Sequence, residues 1–179
     1  KQFNEIFLYD GIAVLNSADF DEKQLEDKIS SIAQVDKSML MQSTDGIAEN
    51  ETENQSVSMI VPKTPENMGD YIDLVSAENG SNLEVKSGSV IITQKLAKLL
   101  DLKTGDTITI KLSGHEEKEF KIGGVSKNYA LHYIYITPDD FESVYGEKPV
   151  YNLSFIDLKK DTDENSFKEQ LISNDEFYG

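Results

Sequence analysis

The sequence predicts an α+β fold in two lobes. One is a split β-α-β sheet lobe built from both ends of the chain. The other is a small β-rich lobe carrying short helices, inserted between them. Three observations lead there. A strand and a capped amphipathic helix open the chain, a strand and a helical pattern close it, and between them apolar residues alternate at the period of a strand. The expected division places residues 1–62 and 149–179 in the outer lobe and residues 63–148 in the inserted one.

The first apolar run, IFLYDGIAVL at residues 6–15, has Asp10-Gly11 at its centre. It reads either as a hairpin turned at Asp-Gly or as one strand kinked at Gly11. The helix that follows has sharper signals. Asp21 stands at the N-cap and Gln24 three residues on, which is a capping box. Phe20 and Leu25 are spaced as a hydrophobic staple, and Leu25, Ile29, Ile32 and Ala33 share one face. VDKSMLMQS and SVSMIVP then read as strands, separated by the polar TDGIAENETENQ, a loop or a long hairpin tip. Residues 63–89 are broken by Pro and Gly, with a short helix or strand at DYIDLVSA.

The stretch VIITQKLAKLLDLKTGDTITI at residues 90–110 packs strand, helix, turn and strand together. Thr93 is placed as an N-cap. Lys103-Thr104-Gly105-Asp106 reads as a turn with Gly at a position of positive φ. Residues 107–112 alternate, with Ile108, Ile110 and Leu112 inward, and residues 119–125 return as a strand in which Gly123-Gly124 marks a bulge or a close approach. HYIYITPDDFESVYG repeats the grammar: a strand, Thr137 as N-cap, Pro138 at the first helical position, Asp139 and Asp140 at the positive end of the dipole, and Gly146 as the stop. YNLSFIDLK is a final strand, and DENSFKEQLIS begins a final helix capped by Asp163.

Composition narrows the function. The 179 residues carry a net charge of -16, and all 17 basic residues are lysines. Nucleic-acid binding calls for a basic face and favours arginine, so that class is set aside. With no cysteine there is no disulfide framework, thiolate metal site or thiol nucleophile. No apolar run reaches the roughly 18 residues of a membrane span. The chain begins at Lys1 and ends at Gly179 just past a helical pattern, and is read as a piece of a longer protein.

The motifs of catalysis are missing. There is no G-x-S-x-G elbow, no phosphate loop, no G-x-G-x-x-G and no H-E-x-x-H. Asp161, Asp163 and Asn165 begin like a calcium loop, but Ser166 and Ile172 stand where Gly and Glu are needed. His115 reads as a solvated loop histidine and His132 as a packed strand histidine. No catalytic residue, metal ligand or cofactor site is therefore expected.

The stretch from Val90 to Ile110, followed by EFKIGGVSKNY, resembles the extracytoplasmic (MacB-like periplasmic core) domain of FtsX/MacB-type ABC transporter permeases. Leu96, Ala97, Leu100, Leu102, Gly105, Asp106 and Gly124-Val125 carry the likeness, with Leu100 one place late. NYALHYIYITPDDFESVYG, residues 128–146, is similar to a stretch of large permeases of low-GC Gram-positive bacteria. The resemblance covers residues 84–172 and is faint before them. It implies a non-catalytic domain on the outer face of the cell membrane, flanked by membrane helices, with a separate cytoplasmic ATPase subunit as partner. It implies no cofactor. The Val90–Ile110 unit would then be scaffold, with Asp106 bonding its own turn.

An extracellular protein, peptide or lipid is the expected outer partner. Without coiled-coil heptads, contact with it would fall to the lobes, and the aromatic strip Tyr129, His132, Tyr133 and Tyr135 is the candidate surface; the same residues could instead pack between the lobes. The competing readings are a secreted or wall-attached module binding peptide or glycan, and a hydrolase using His132 or carboxylates.

Overall fold

A computed structural model describes residues 8–16, 20–128 and 131–173. Eight strands and four α-helices follow in the order β1 (Gly11–Val14), α1 (Glu22–Ser31), β2 (Val35–Glu49), β3 (Asn54–Pro62), β4 (Val90–Thr93), α2 (Gln94–Leu99), β5 (Thr107–Leu112), β6 (Glu117–Ser126), β7 (Tyr133–Tyr135), α3 (Pro138–Tyr145), β8 (Leu153–Leu158) and α4 (Glu164–Ile172). The fold is α+β, with one mixed sheet in the order β1-β8-β2-β3-β7-β4-β6-β5. A further ladder joins β5 back to β2, so six of the strands close into a small barrel.

Strand β2 belongs to two structures. Its first half, Val35 to Met41, pairs with β8, and β8 pairs with β1. Its second half, Met41 to Glu49, pairs with β3, and Gly46 to Glu49 pair on the other edge with β5. Each half has its own core. Ala13, Leu25, Ile29, Ile156, Phe167 and Leu171 join the three-stranded part to α1 and α4. Ala48, Met59, Ile92, Ile108, Ile110 and Ile134 fill the barrel, with Leu96 of α2 and Phe141 of α3 packed into it. The expected lobe boundary at 62/63 falls at the end of β3, whose neighbours are β2 and β7.

Local chemistry explains the elements. The Asp21 carboxylate accepts from the Gln24 N–H at 2.8 Å, and Gln24 Oε1 accepts from the Asp21 N–H at 3.0 Å, closing the capping box. Phe20 packs on the cluster that contains Leu25. Pro138 opens α3, Thr137 Oγ1 accepts from the Asp140 N–H at 3.2 Å, and Gly146 ends the helix with φ of 72°. In the Lys103–Asp106 turn Gly105 has φ of 94°, and the Asp106 carboxylate accepts from the Lys103 N–H at 2.9 Å. Asp163 caps α4 through the Asn165 N–H.

Several expectations change. Asp10-Gly11 turns no hairpin among the described residues: the Asp10 N–H donates to Ile156 O, and the Leu8 N–H leaves the sheet for Tyr71 O. Most of TDGIAENETENQ is strand, and only the tip turns, held by the Asn50 side chain accepting from the Thr52 and Glu53 N–H groups. Thr93 stands at the N-cap of α2, yet its hydroxyl donates instead to Leu131 O at 2.8 Å. DYIDLVSA is neither helix nor strand but a segment after a 3₁₀ turn at Pro65–Asp70, tied by single bridges from Val75 to Asn82 and from Ser76 to Ser126.

Closure of the barrel depends on Gly46. A Cβ there would lie 2.7 Å from Lys111 O and 3.0 Å from Leu112 Cα, both backbone atoms that cannot move aside without breaking the β2–β5 ladder. The bulge signalled by Gly123-Gly124 is present: β4 and β6 shift register there, leaving Gly123 without a partner in the ladder.

Candidate functional site

The aromatic strip divides. Tyr129 lies outside the described residues. In β7 the side chains alternate, so Ile134 points into the barrel while Tyr133 and Tyr135 share the opposite face. Tyr135 has no exposed surface, so it supports the candidate partner surface from beneath instead of lining it. Tyr133 is half-buried, its ring edge-on to that of Tyr135 with centroids 6.1 Å apart. His132 precedes β7 in a separate cleft beside Asp45, Ser56 and Lys95, with Nδ1 3.1 Å from Ser56 O.

The structure adds aromatics that the sequence did not single out. Phe155 of β8 stacks on Tyr9 at 4.8 Å and on Tyr71 at 5.5 Å. These rings, with Met39, Met41, Ile60, Ile72 and Tyr135, form a third cluster on the face of the sheet turned away from α1 and α4. A crevice of about 90 Å³ opens there between Tyr9, Tyr133, Tyr135 and Phe155. The signal for Phe155 was its place in a short apolar strand; Tyr9 and Tyr71 sat in segments with no clear period.

Charge is kept at the rim. Lys37 lies 5.3 Å from the Tyr71 ring centroid and pairs with Asp157 at 3.2 Å and Asp70 at 3.7 Å. Burial, and then the charges of Asp157, Asp70 and Asp36, push the Tyr71 phenol up to about 12. Burial likewise raises Tyr9, Tyr133 and Tyr135, so all four phenols are neutral hydroxyls at ordinary pH. Burial also raises the Asp157 carboxyl, against the opposing pull of Lys37. Among the described residues no group of three or more His, Asp or Glu side chains is placed to hold a metal ion.

A broader cleft of about 760 Å³ runs between residues 63–87 and the start of α3. Its walls mix Lys63 and Lys86 with Glu66, Asp73, Glu84 and Asp139, and its apolar floor, Met68, Leu74 and Val85, is closed to solvent. His115, expected as a solvated loop histidine, stands in the β5–β6 turn and has partners there. Its Nε2 lies 2.7 Å from Glu147 Oε1, and its ring sits edge-on to Tyr145 at 4.9 Å.

Comparison with solved structures places the fold. The chain is similar to the extracellular domain of the noncanonic ABC-type transporter YknZ from Gram-positive bacteria, with 15% identity, a TM-score of 0.55, and coverage of 88% of this chain and 86% of that one. It is also similar to the periplasmic region of MacB from Actinobacillus actinomycetemcomitans, with 12% identity, a TM-score of 0.53, and coverage of 89% and 78%. The chain thus shares its fold with the extracellular domain of YknZ and the periplasmic region of MacB. No protein-family model matches the chain, and no curated protein matches its sequence.

Proposed function

We propose that this chain is the extracellular domain of an ABC transporter permease, and that it couples ATP-driven motion of the membrane complex to recognition or export of a substrate or partner. The observation that carries the reading is the fold shared with two such domains over nearly nine-tenths of the chain. The match of Leu96, Ala97, Gly105 and Asp106 to the permease pattern supports it from the sequence side. In this reading the domain itself is not an enzyme, a cytoplasmic subunit hydrolyses ATP, and flanking helices of the parent cross the membrane.

The two lobes, residues 1–62 with 149–179 and residues 63–148, would be the parts that transmit motion. They meet in the barrel, to which the first gives β2 and β3 and the second β4 to β7, and β2 runs on from the barrel into the three-stranded part. A push on the three-stranded part is then carried into the barrel along a continuous backbone. The aromatic face with Tyr133 at its rim is the proposed recognition surface.

The test is the parent reading frame and its topology. Runs of about twenty apolar residues on both sides of the domain, labelling of the domain from outside intact cells, and co-purification with an ATPase are the expected results. A parent with a signal peptide and no further spans overturns the permease reading in favour of a secreted or wall-attached binding module.

A further inference from the structure

The cleft of about 760 Å³ beside α3 is lined by Asn82 to Ser87 without a break. This stretch is laid out as a strand. Val85 is buried and Leu83 packs on the same aromatic cluster, while Glu84 and Lys86 between and beyond them are exposed. Yet from Asn82 to Lys86 the one backbone hydrogen bond among the described residues is from the Leu83 N–H to Leu74 O, at 2.7 Å. With the Ser76 N–H on Ser81 O, it makes the single bridge between Val75 and Asn82. Successive residues of an extended chain turn their backbone groups to opposite edges. Ser81 and Leu83 turn theirs to residues 74–76, so Asn82, Glu84 and Lys86 turn theirs to the free edge. The far end is fixed as well, since the Gly88 N–H donates to the Asp140 carboxylate at 2.7 Å.

A strand edge that is open and held straight is a template for one more strand. The charges around it choose the occupant. Of the two lysines lining the cleft, Lys63 is engaged by Glu22 and Glu26, and Lys86 is paired with Glu84 at 3.0 Å. The lining carboxylates Glu66, Asp73 and Asp139 are exposed and have no ion-pair partner among the described residues. An added strand with basic side chains would meet them. A second copy of the chain, itself at a net charge of -16, would bring like charge to the same wall. The volume lies within the roughly 300–1,000 Å³ usual for ligand sites.

We propose that this cleft takes a free, extended cationic peptide, which pairs as a strand with the open edge at Asn82–Lys86 and sets lysine or arginine side chains against Glu66, Asp73 and Asp139. The inference goes beyond the permease reading and does not depend on it. Its test uses the 179-residue chain alone, so failure here leaves the permease assignment standing, and failure of the topology test leaves this site standing.

The experiment is calorimetric titration and amide shift mapping with acetyl-Lys-Val-Lys-Val-Lys-amide, in about 0.15 M salt to screen diffuse attraction. Acetyl-Glu-Val-Glu-Val-Glu-amide is the control of opposite charge. Saturable binding of the basic peptide is expected, about tenfold or more above the acidic one, with the largest shifts at residues 82–87. Glu66→Gln with Asp73→Asn lowers the affinity several-fold. Glu84→Pro and Glu84→Ala separate backbone from charge: both delete the carboxylate, and only the first deletes the N–H, which has no partner in the free protein to lose. Glu84→Pro is expected to bind about fivefold more weakly than Glu84→Ala, the worth of one net hydrogen bond. The proposal is overturned if the basic peptide does not bind, if the acidic peptide binds as well, if the shifts lie away from residues 82–87, or if the two Glu84 variants bind alike. It is also overturned if the free chain self-associates in sedimentation with those same amides shifted, which would give the edge to a second copy. Shift mapping on the wild type decides the location even where Glu84→Pro fails to fold.

Discussion

His115 Nε2 lies 2.7 Å from Glu147 Oε1, and this one contact ties the β5–β6 turn to the residue after the stop of α3. The hydrogen bond to Glu147 raises the imidazole above its ordinary value of 6.5, and the backbone oxygen of Ser113 adds to it. The sign of the pH dependence follows. A group whose folded value is raised stabilises fully below its unfolded value and loses that contribution as pH rises through the folded one. Denaturant unfolding should therefore show greater stability near pH 6 than at pH 8.5, by roughly 0.2–1 kcal/mol for a pair this close to solvent. His115→Gln flattens that slope. An unchanged slope in His115→Gln would assign the dependence to other groups.

Gly46→Ala tests the closure of the barrel. The added methyl meets Lys111 O and Leu112 Cα, and neither belongs to a flexible side-chain end. Overpacking against fixed atoms costs about 1–3 kcal/mol. The loss should be local as well as global: amide exchange at Gly46–Glu49 and Thr109–Leu112 should speed up more than exchange in α1. Uniform acceleration across the chain would count against a seam at this position.

Much of this fold is written locally. Ile108, Ile110 and Leu112 announce β5 because every second residue faces the barrel core. Asp21 with Gln24, and Thr137 with Pro138 and Gly146, announce helix ends because capping needs only neighbours. The second half of β2 is silent for the opposite reason. In β2 the apolar Ile47 faces outward at 45% exposure, while the small Ala48 faces the core, so the segment reads as a polar loop. Its strand character comes from β3 and β5, on either side of it. The candidate site has the same history. Tyr133 and Tyr135 were visible as a strip, but Tyr9, Tyr71 and Phe155 come from distant segments that only the finished sheet brings together.

Two threonines placed alike in the sequence should behave differently. Thr137→Ala removes a helix cap, since its hydroxyl accepts from the Asp140 N–H. The expected loss is about 1 kcal/mol, with exchange quickened at the start of α3. Thr93 is fully buried and its hydroxyl donates to Leu131 O, tying β4 to the chain just before β7. Thr93→Val keeps the shape and deletes the bond, for a loss of about 1 kcal/mol or more because the Leu131 carbonyl loses its partner. Exchange at the start of α2 should be unchanged by it. Faster exchange there would mean that Thr93 acts as a cap in solution.

Met41 is the residue at which β2 changes company. It pairs with Leu153 of β8 on one edge and with Pro62 of β3 on the other, and it is 1% exposed. Its side chain lies in the aromatic cluster and also lines the Tyr135 crevice. Met41→Ala should cost about 2–5 kcal/mol, the range for emptying a buried site of this size. If β2 transmits load between the two halves, the mutant's loss of protection should appear in both β8 and β3. Two separated unfolding transitions should then replace a single one. A loss confined to β8 with the barrel's transition unmoved would show that the halves are stabilised independently, and the coupling role proposed for the domain would need a route other than this strand.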